Sequence, residues 1–139
     1  MGIWYSKEYT RALVQSTPVC LFIYGDNLLQ QGLGGQAIIR HEPNTFGIPT
    51  KRAPNRLDYA YFKDTEEELN AVRTSLRELW KLAQKRPIVF PYNGVGTGLA
   101  RMEECSPKIY AYMCRTLKDH FGIINGMGDD SRLIEEVMR

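Results

Sequence analysis

Disulfide chemistry is the first thing this chain lacks. Its cysteines are Cys20, Cys105 and Cys114, none in a CxxC pair, and an odd number cannot be fully paired within one chain. Reduced thiols in a cytosol are therefore expected. No cluster of His, Cys and carboxylates has zinc-like spacing, so neither a structural metal nor a cofactor is expected. No apolar run approaches the roughly 20 residues that span a bilayer. The opening MGIWYSKEYTRALV lacks the apolar stretch of a secretory signal. A cytoplasmic protein without a membrane partner is the expectation. Strong charge of either sign is missing too: Lys and Arg total 18 against 16 acidic residues, a net +2 that argues against general nucleic-acid binding. Repeats, low-complexity tracts and internal linkers are also absent. What remains is globular composition, 43% hydrophobic and 24% charged, and it predicts a single domain over residues 1–139.

VCLFIY, residues 19–24, is apolar on both faces and bounded by Thr17-Pro18 and Gly25-Asp26-Asn27. It reads as a buried strand of a parallel or mixed sheet. PIVFPY, residues 87–92, reads the same way, with Pro91 marking the end of ladder pairing. Between them lies TEEELNAVRTSLRELWKLAQKR. There Thr65 and Glu68 form a capping box, and Leu69, Val72, Leu76, Leu79, Trp80 and Ala83 make one apolar stripe. SPKIYAYMCRTLKDHFG predicts a second helix, with Ser106 as N-cap, Pro107 at the first position and Gly122 at the C-cap. TFGIPTK and DYAYFK are further strand candidates, and DDSRLIEEVMR a short terminal helix. Strand, helix, strand and helix in this order make an α/β layered domain.

Two glycine-rich turns follow the two clearest strands: GDNLLQQGLGGQA at residues 25–37 and GVGTGLA at residues 94–100. In open α/β sheets, ligands bind beyond the carboxyl ends of the strands. Two glycine turns at that edge predict two lips of one pocket. Glycine lets backbone N–H groups approach a ligand, and such groups suit phosphate. The first turn is expected to continue as a helix through Ile38 and Ile39, adding a helix N-terminus. Neither turn carries a P-loop or dinucleotide fingerprint.

FIYGDNLLQQGLGGQAI resembles the first loop of macrodomains. GIPTKRAPN and IVFPYNGVGTGLARM are similar to segments of one branch. That branch includes the terminal ADP-ribose glycohydrolase macrodomain and the antitoxins that reverse DNA ADP-ribosylation. The resemblance covers about residues 19–121, in family order. It implies a three-layer α/β/α sandwich with a mixed sheet and ADP-ribose or a relative as ligand. Asn27, Gly34 and Gly35 would approach the distal ribose, Gly94, Val95, Gly96, Thr97 and Gly98 would wrap the diphosphate, and Gly25, Gln36 and Leu99 join the expected ligand-binding set. Tyr92, with Asn93 beside it, or Val95 would flank a sugar or base. Hydrolytic members use a lysine, expected after the first loop where this chain has Arg40 and His41. Some add an aspartate at the second-loop position occupied here by Ala100.

The candidate catalytic residues are Asp26, to position water or a ribose hydroxyl, Asn27, and His41, whose near-neutral pKa suits acid–base work. Arg40, Lys51 or Arg52 could reach a phosphate at the pocket mouth. The function these residues predict is binding of an ADP-ribosyl nucleotide, with removal of ADP-ribose from a modified macromolecule as the enzymatic form. The alternative is a phage or bacterial accessory protein that sequesters an ADP-ribose-like or cyclic nucleotide signal without turnover. Nucleic acid enters this reading only as a modified substrate. A nucleic-acid-end binder using the basic run and tyrosines ranks last.

Overall fold

The structure, a computed structural model, describes residues 1–137. Its sheet has four strands in the order β1-β4-β2-β3, with β1 Ile3–Ser6, β2 Leu21–Asn27, β3 Thr45–Lys51 and β4 Ile88–Pro91. All three strand pairs are parallel. The mixed sheet expected from the sequence is therefore corrected. The described antiparallel contact is an isolated bridge between Lys51 and Tyr61. DYAYFK is not a strand either. Asp58–Ala60 form a 3₁₀ turn, and that bridge is what remains of the expected ladder.

Alternation along the central strands splits the core into two faces. Leu21, Ile23, Ile88 and Phe90 point to one side, where they meet α2 (Glu66–Ala83), the short α3 (Met102–Cys105) and α4 (Pro107–Thr116). Phe22, Tyr24 and Val89 point to the other, packing against Val14 of α1 (Arg11–Ser16) and against Ala37 and Ile39. Both faces of the parallel sheet are thus covered, as such sheets require. Strand β1 and helix α1, which sequence periodicity does not reveal, complete this arrangement. At the C-terminus, Asp130–Arg132 form a 3₁₀ turn behind an Asp129 cap and Ile134–Val137 form α5. Met138 and Arg139 of the expected terminal helix lie outside the described residues.

Helix α2 begins as its sequence predicts. Thr65 Oγ1 accepts from Glu68 N at 3.2 Å and Glu68 Oε1 accepts from Thr65 N at 3.0 Å. Its stripe is buried except for Leu69, half-buried, and Trp80, which is exposed.

Helix α4 starts at Pro107 as expected, but Ser106 does not cap it. The Ser106 hydroxyl donates backwards to Met102 O. Asp64, in the loop before α2, caps it instead, its carboxylate accepting from Ile109 N at 2.9 Å and Lys108 N at 3.2 Å. Asp64→Ala is expected to cost about 1–2 kcal/mol in a denaturant titration, the usual cost of losing such a cap. Ser106→Ala should cost less. Beyond Thr116 the helix continues as a π turn, Leu117–Phe121, and stops at Gly122 in the left-handed region (φ 71°).

Candidate functional site

Strands β2 and β4 are neighbours, yet they pair only through Leu21↔Ile88 and Phe22↔Val89 before diverging. The Tyr9 hydroxyl sits at the fork, 2.5 Å from Ile23 O and 3.0 Å from Val89 O. Burial, with help from the nearby Glu135 charge, pushes that phenol well above its usual pKa, so it remains a donor. Further on, Gln36 fills the gap as a strand residue would. Its Oε1 accepts from Gly25 N at 2.9 Å and its Nε2 donates to Gly94 O at 2.8 Å. The chain leaves β2 toward the α1 face, through Ala37 and Ile39, and leaves β4 toward the opposite face, through Met102 and Ile109. A parallel sheet whose connections part in this way opens a crevice at the switch point.

That crevice is a cleft of about 390 Å³ lined by both glycine turns, Gly34 and Gly35 on one side and Gly96, Gly98 and Leu99 on the other. Gly25, Asp26, Asn27, Thr50 and Lys51 also line it. Its volume lies within the usual range for small-molecule sites.

The backbone of the two lips is under-used. Among the described residues, the N–H groups of Gly32 through Gln36 and of Gly96 through Ala100 have no hydrogen-bond partner. Two consecutive runs of free donors flank one cleft, the arrangement that makes anion-binding concavities. Gly96 and Gly35 adopt positive φ (76° and 56°). At Gly34 and Gly98 an added Cβ would meet nothing within 4 Å, so the space beside these two is open. The helix expected after the first turn is a 3₁₀ segment, Gly35–Ile39, so no α-helix dipole points at the cleft.

The structure reassigns several side chains. The side chains of Asp26 and Arg40 are 7% and 8% exposed, and they form an ion pair at 2.7 Å. Arg40 Nε also donates to Gly32 O at 2.9 Å and Nη2 to Gln31 O at 3.0 Å. Burial opposes the charge on Arg40, but the Asp26 hydrogen bond and charge raise its pKa overall. Arg40 is committed to holding the first loop rather than free for a phosphate, and Asp26 is its counterion rather than a free base.

Asn27 is equally occupied. Its Nδ2 donates to Gln31 O at 2.8 Å, and its Oδ1 accepts from Leu29 N at 3.1 Å and Gln31 N at 3.4 Å. This is loop closure of the kind Asx side chains perform. His41 is exposed and lies outside the cleft, in an adjoining hollow along β3 and α2 that Asp26, Asn27 and Arg40 also line. The three expected catalytic residues therefore share this hollow, but Asp26 is held in its ion pair and Asn27 in its loop hydrogen bonds.

In the second loop, Val95 is fully buried. Asn125 clasps it, accepting from Val95 N at 2.9 Å and donating to Val95 O at 3.0 Å, so Val95 cannot flank a ligand. Thr97 Oγ1 donates to Asn93 O at 2.8 Å and closes its own turn. Tyr92 lies against Gly128 and beneath Lys7, whose Nζ is 4.9 Å from the ring centroid. With Asn93 it lines an adjoining hollow of about 370 Å³ that shares Gly35 and Gln36 with the cleft.

Of the basic run, Lys51 reaches the cleft wall and Arg52 does not. Arg52 pairs with Glu68 at 2.5 Å. Lys51 donates to Asn55 O at 2.7 Å and lies 4.9 Å from the Tyr61 ring centroid. Burial and nearby Arg56 lower its pKa. Tyr9 and Asn125, which hold the strand fork and the second loop, and Asp64, which caps α4, carry no local sequence signal because their partners are remote.

Among the described residues, no three His, Cys, Asp or Glu side chains gather as metal ligands, the three cysteines are unpaired, and no helix is long and apolar enough to cross a membrane.

A family model described as a family of unknown function, DUF7831, matches residues 4–116. The chain belongs to that family. No curated protein and no solved structure matches it. The part shared with DUF7831 runs from β1 through α4 and so includes both glycine lips, Gln36, Arg40 and Lys51, whereas Asn125 falls beyond it.

Proposed function

We propose that this DUF7831 protein binds ADP-ribose or a closely related ADP-ribosyl nucleotide in the cleft between its two glycine lips, in the manner of the macrodomains that its loops resemble. The observation that carries the reading is the pair of N–H runs without a described partner, Gly32–Gln36 and Gly96–Ala100, on residues that, Thr97 apart, line one cleft beyond two strand ends. A diphosphate supplies acceptors for both runs at once. Lys51 is the cation on the wall whose charge no carboxylate partner neutralises among the described residues, since Arg40 is committed to Asp26. The covered parallel sheet is compatible with a macrodomain-like sandwich of reduced strand number.

Capture is the form the side chains favour, because Asp26 and Asn27 are engaged in loop structure and His41 lies outside the glycine-lined cleft. The hydrolytic form has one observation behind it, the Lys51 amine at the cleft wall with a lowered pKa. In that form Lys51→Ala abolishes release of ADP-ribose from modified DNA or peptide. In the capture form, wild type releases none.

Calorimetric titration tests the binding itself. Wild type is expected to bind ADP-ribose at micromolar affinity. Gly98→Val, which has room for its side chain and a backbone outside the left-handed region, should lose at least tenfold, about 1.4 kcal/mol, with its thermal midpoint unchanged. Equal affinity in wild type and Gly98→Val, or no heat with wild type, would contradict the proposal.

A further inference from the structure

A second concave surface lies far from the cleft. Helix α2 runs into the start of β4 and α4 leaves from its end, so the last turns of both helices sit near the strand starts, opposite the glycine lips. Between them is a groove of about 610 Å³, floored by Leu76 and Phe121. Arg73, Arg77, Lys81 and Arg115 line it, against a single carboxylate, Asp119.

None of these four cations takes part in a described ion pair, whereas Arg40, Arg52, Lys63 and Arg101 all do. Cations without an ion pair occur elsewhere too, Lys51 among them, but here four of them gather around one groove. Aromatic rings stand among the cations. Trp80 is 44% exposed on a helix whose neighbouring apolar positions are buried, and the Arg73 guanidinium carbon lies 5.6 Å from the Tyr112 ring centroid. The π turn Leu117–Phe121 forms one wall, the kind of helix irregularity that often marks functional positions.

We infer that this groove binds single-stranded nucleic acid. Unpaired guanidinium and ammonium groups match phosphates, and an exposed indole beside them supplies a face on which an unpaired base stacks. A duplex hides its base faces and leaves Trp80 without a role. An acidic peptide would use the cations but would gain nothing comparable from the rings. Overall charge counts against nucleic acid, but the local distribution reverses that judgement. The inference does not rest on the nucleotide reading of the cleft.

The test is fluorescence anisotropy with a labelled oligothymidylate, alongside quenching of tryptophan emission, in the full-length protein. Binding is expected at about 50 mM salt, with a log–log salt slope approaching −3 for four cations at about −0.7 each. Arg77→Glu combined with Lys81→Glu, both at exposed positions, should weaken it at least tenfold and flatten the slope. Trp80→Ala should weaken it about five- to a hundredfold by the loss of one stacked base and abolish most of the quench. Gly98→Val should bind the oligonucleotide as wild type does.

No binding at low salt, or full affinity in the charge-reversal variant, would overturn the inference. Displacement by polyglutamate at equal charge concentration would assign the groove to an acidic protein segment. Equal affinity for duplex, with Trp80→Ala unaffected, would remove the stacking role, and weakened binding in Gly98→Val would move the oligonucleotide to the cleft.

Discussion

Arg40→Ala is expected to destabilise the protein by about 3–5 kcal/mol, the usual cost of removing one partner from a buried ion pair. The size follows from what the guanidinium does. It neutralises Asp26, a carboxylate 7% exposed, and simultaneously gathers the carbonyls of Gln31 and Gly32 into the first lip. Truncation leaves a buried charge with Asn27 N as its remaining described donor besides Tyr24, and it frees the lip. Arg40→Lys should recover little, because an ammonium cannot present the planar fork that reaches three acceptors. Combining Arg40→Ala with Asp26→Asn should recover part of the loss, since the uncompensated charge is then gone. Urea unfolding of the four proteins checks this. Arg40→Ala within about 0.5 kcal/mol of wild type, the scale of an ordinary surface substitution, would show that the pair is not structural.

Gly96→Ala should be nearly as damaging, while Gly98→Ala two residues away should be almost silent. Gly96 sits at φ 76°, and a Cβ built there lies 2.3 Å from Met102 Sδ. The backbone strain costs roughly 1–2 kcal/mol and the overpacking against a fully buried methionine roughly 1–3 kcal/mol. A combined loss near 3 kcal/mol is a large part of a typical total of about 5–15 kcal/mol, and it should lower the thermal midpoint by about 10 °C. Gly98 has open space beside its Cα and no positive φ. One loop therefore contains a glycine that the fold requires and a glycine that only a ligand would require. A calorimetric scan showing equal midpoints for the two alanine variants would contradict the assigned backbone.

The contrast also indicates how far sequence alone carries. The apolar runs at 19–24 and 87–92 overlap the two central strands because a strand buried on both faces leaves an unmistakable run. Strand β2, however, begins at Leu21 and continues through Gly25, Asp26 and Asn27, which the sequence reads as its end. The Thr65–Glu68 capping box is local, and it is present. The two glycine turns share an edge because parallel strands with covered faces end on the same side. Features built from distant partners were not legible. Asp64 caps a helix that begins 43 residues later, at Pro107, and Tyr9 fixes the fork between β2 and β4 from before either strand. Strand β1 is four residues long, too short to show periodicity.

The same reason explains why the structural work of the first lip's side chains was not legible. Asp26, Asn27 and Arg40 are placed as ligand-facing residues would be, at a strand end beside a glycine loop. Whether such side chains face a ligand or close their own loop depends on where Gln31 and Gly32 turn, which no local pattern encodes. Lys51 is the opposite case. In the sequence nothing separates it from Arg52 as a candidate for the pocket mouth, and in the fold the end of β3 brings Lys51, not Arg52, to the cleft wall.

The central claim is that two loops, 60 residues apart in the chain, form one anion-binding site. Amide chemical-shift perturbation in labelled protein addresses it directly, because the proposed donors are backbone N–H groups. On titration with ADP-ribose, the amides of Gly34 and Gly35 and those of Gly96 and Gly98 are expected to move together and saturate at the same ligand concentration. Movement confined to one loop, saturation at two different concentrations, or no movement in either would contradict the shared site.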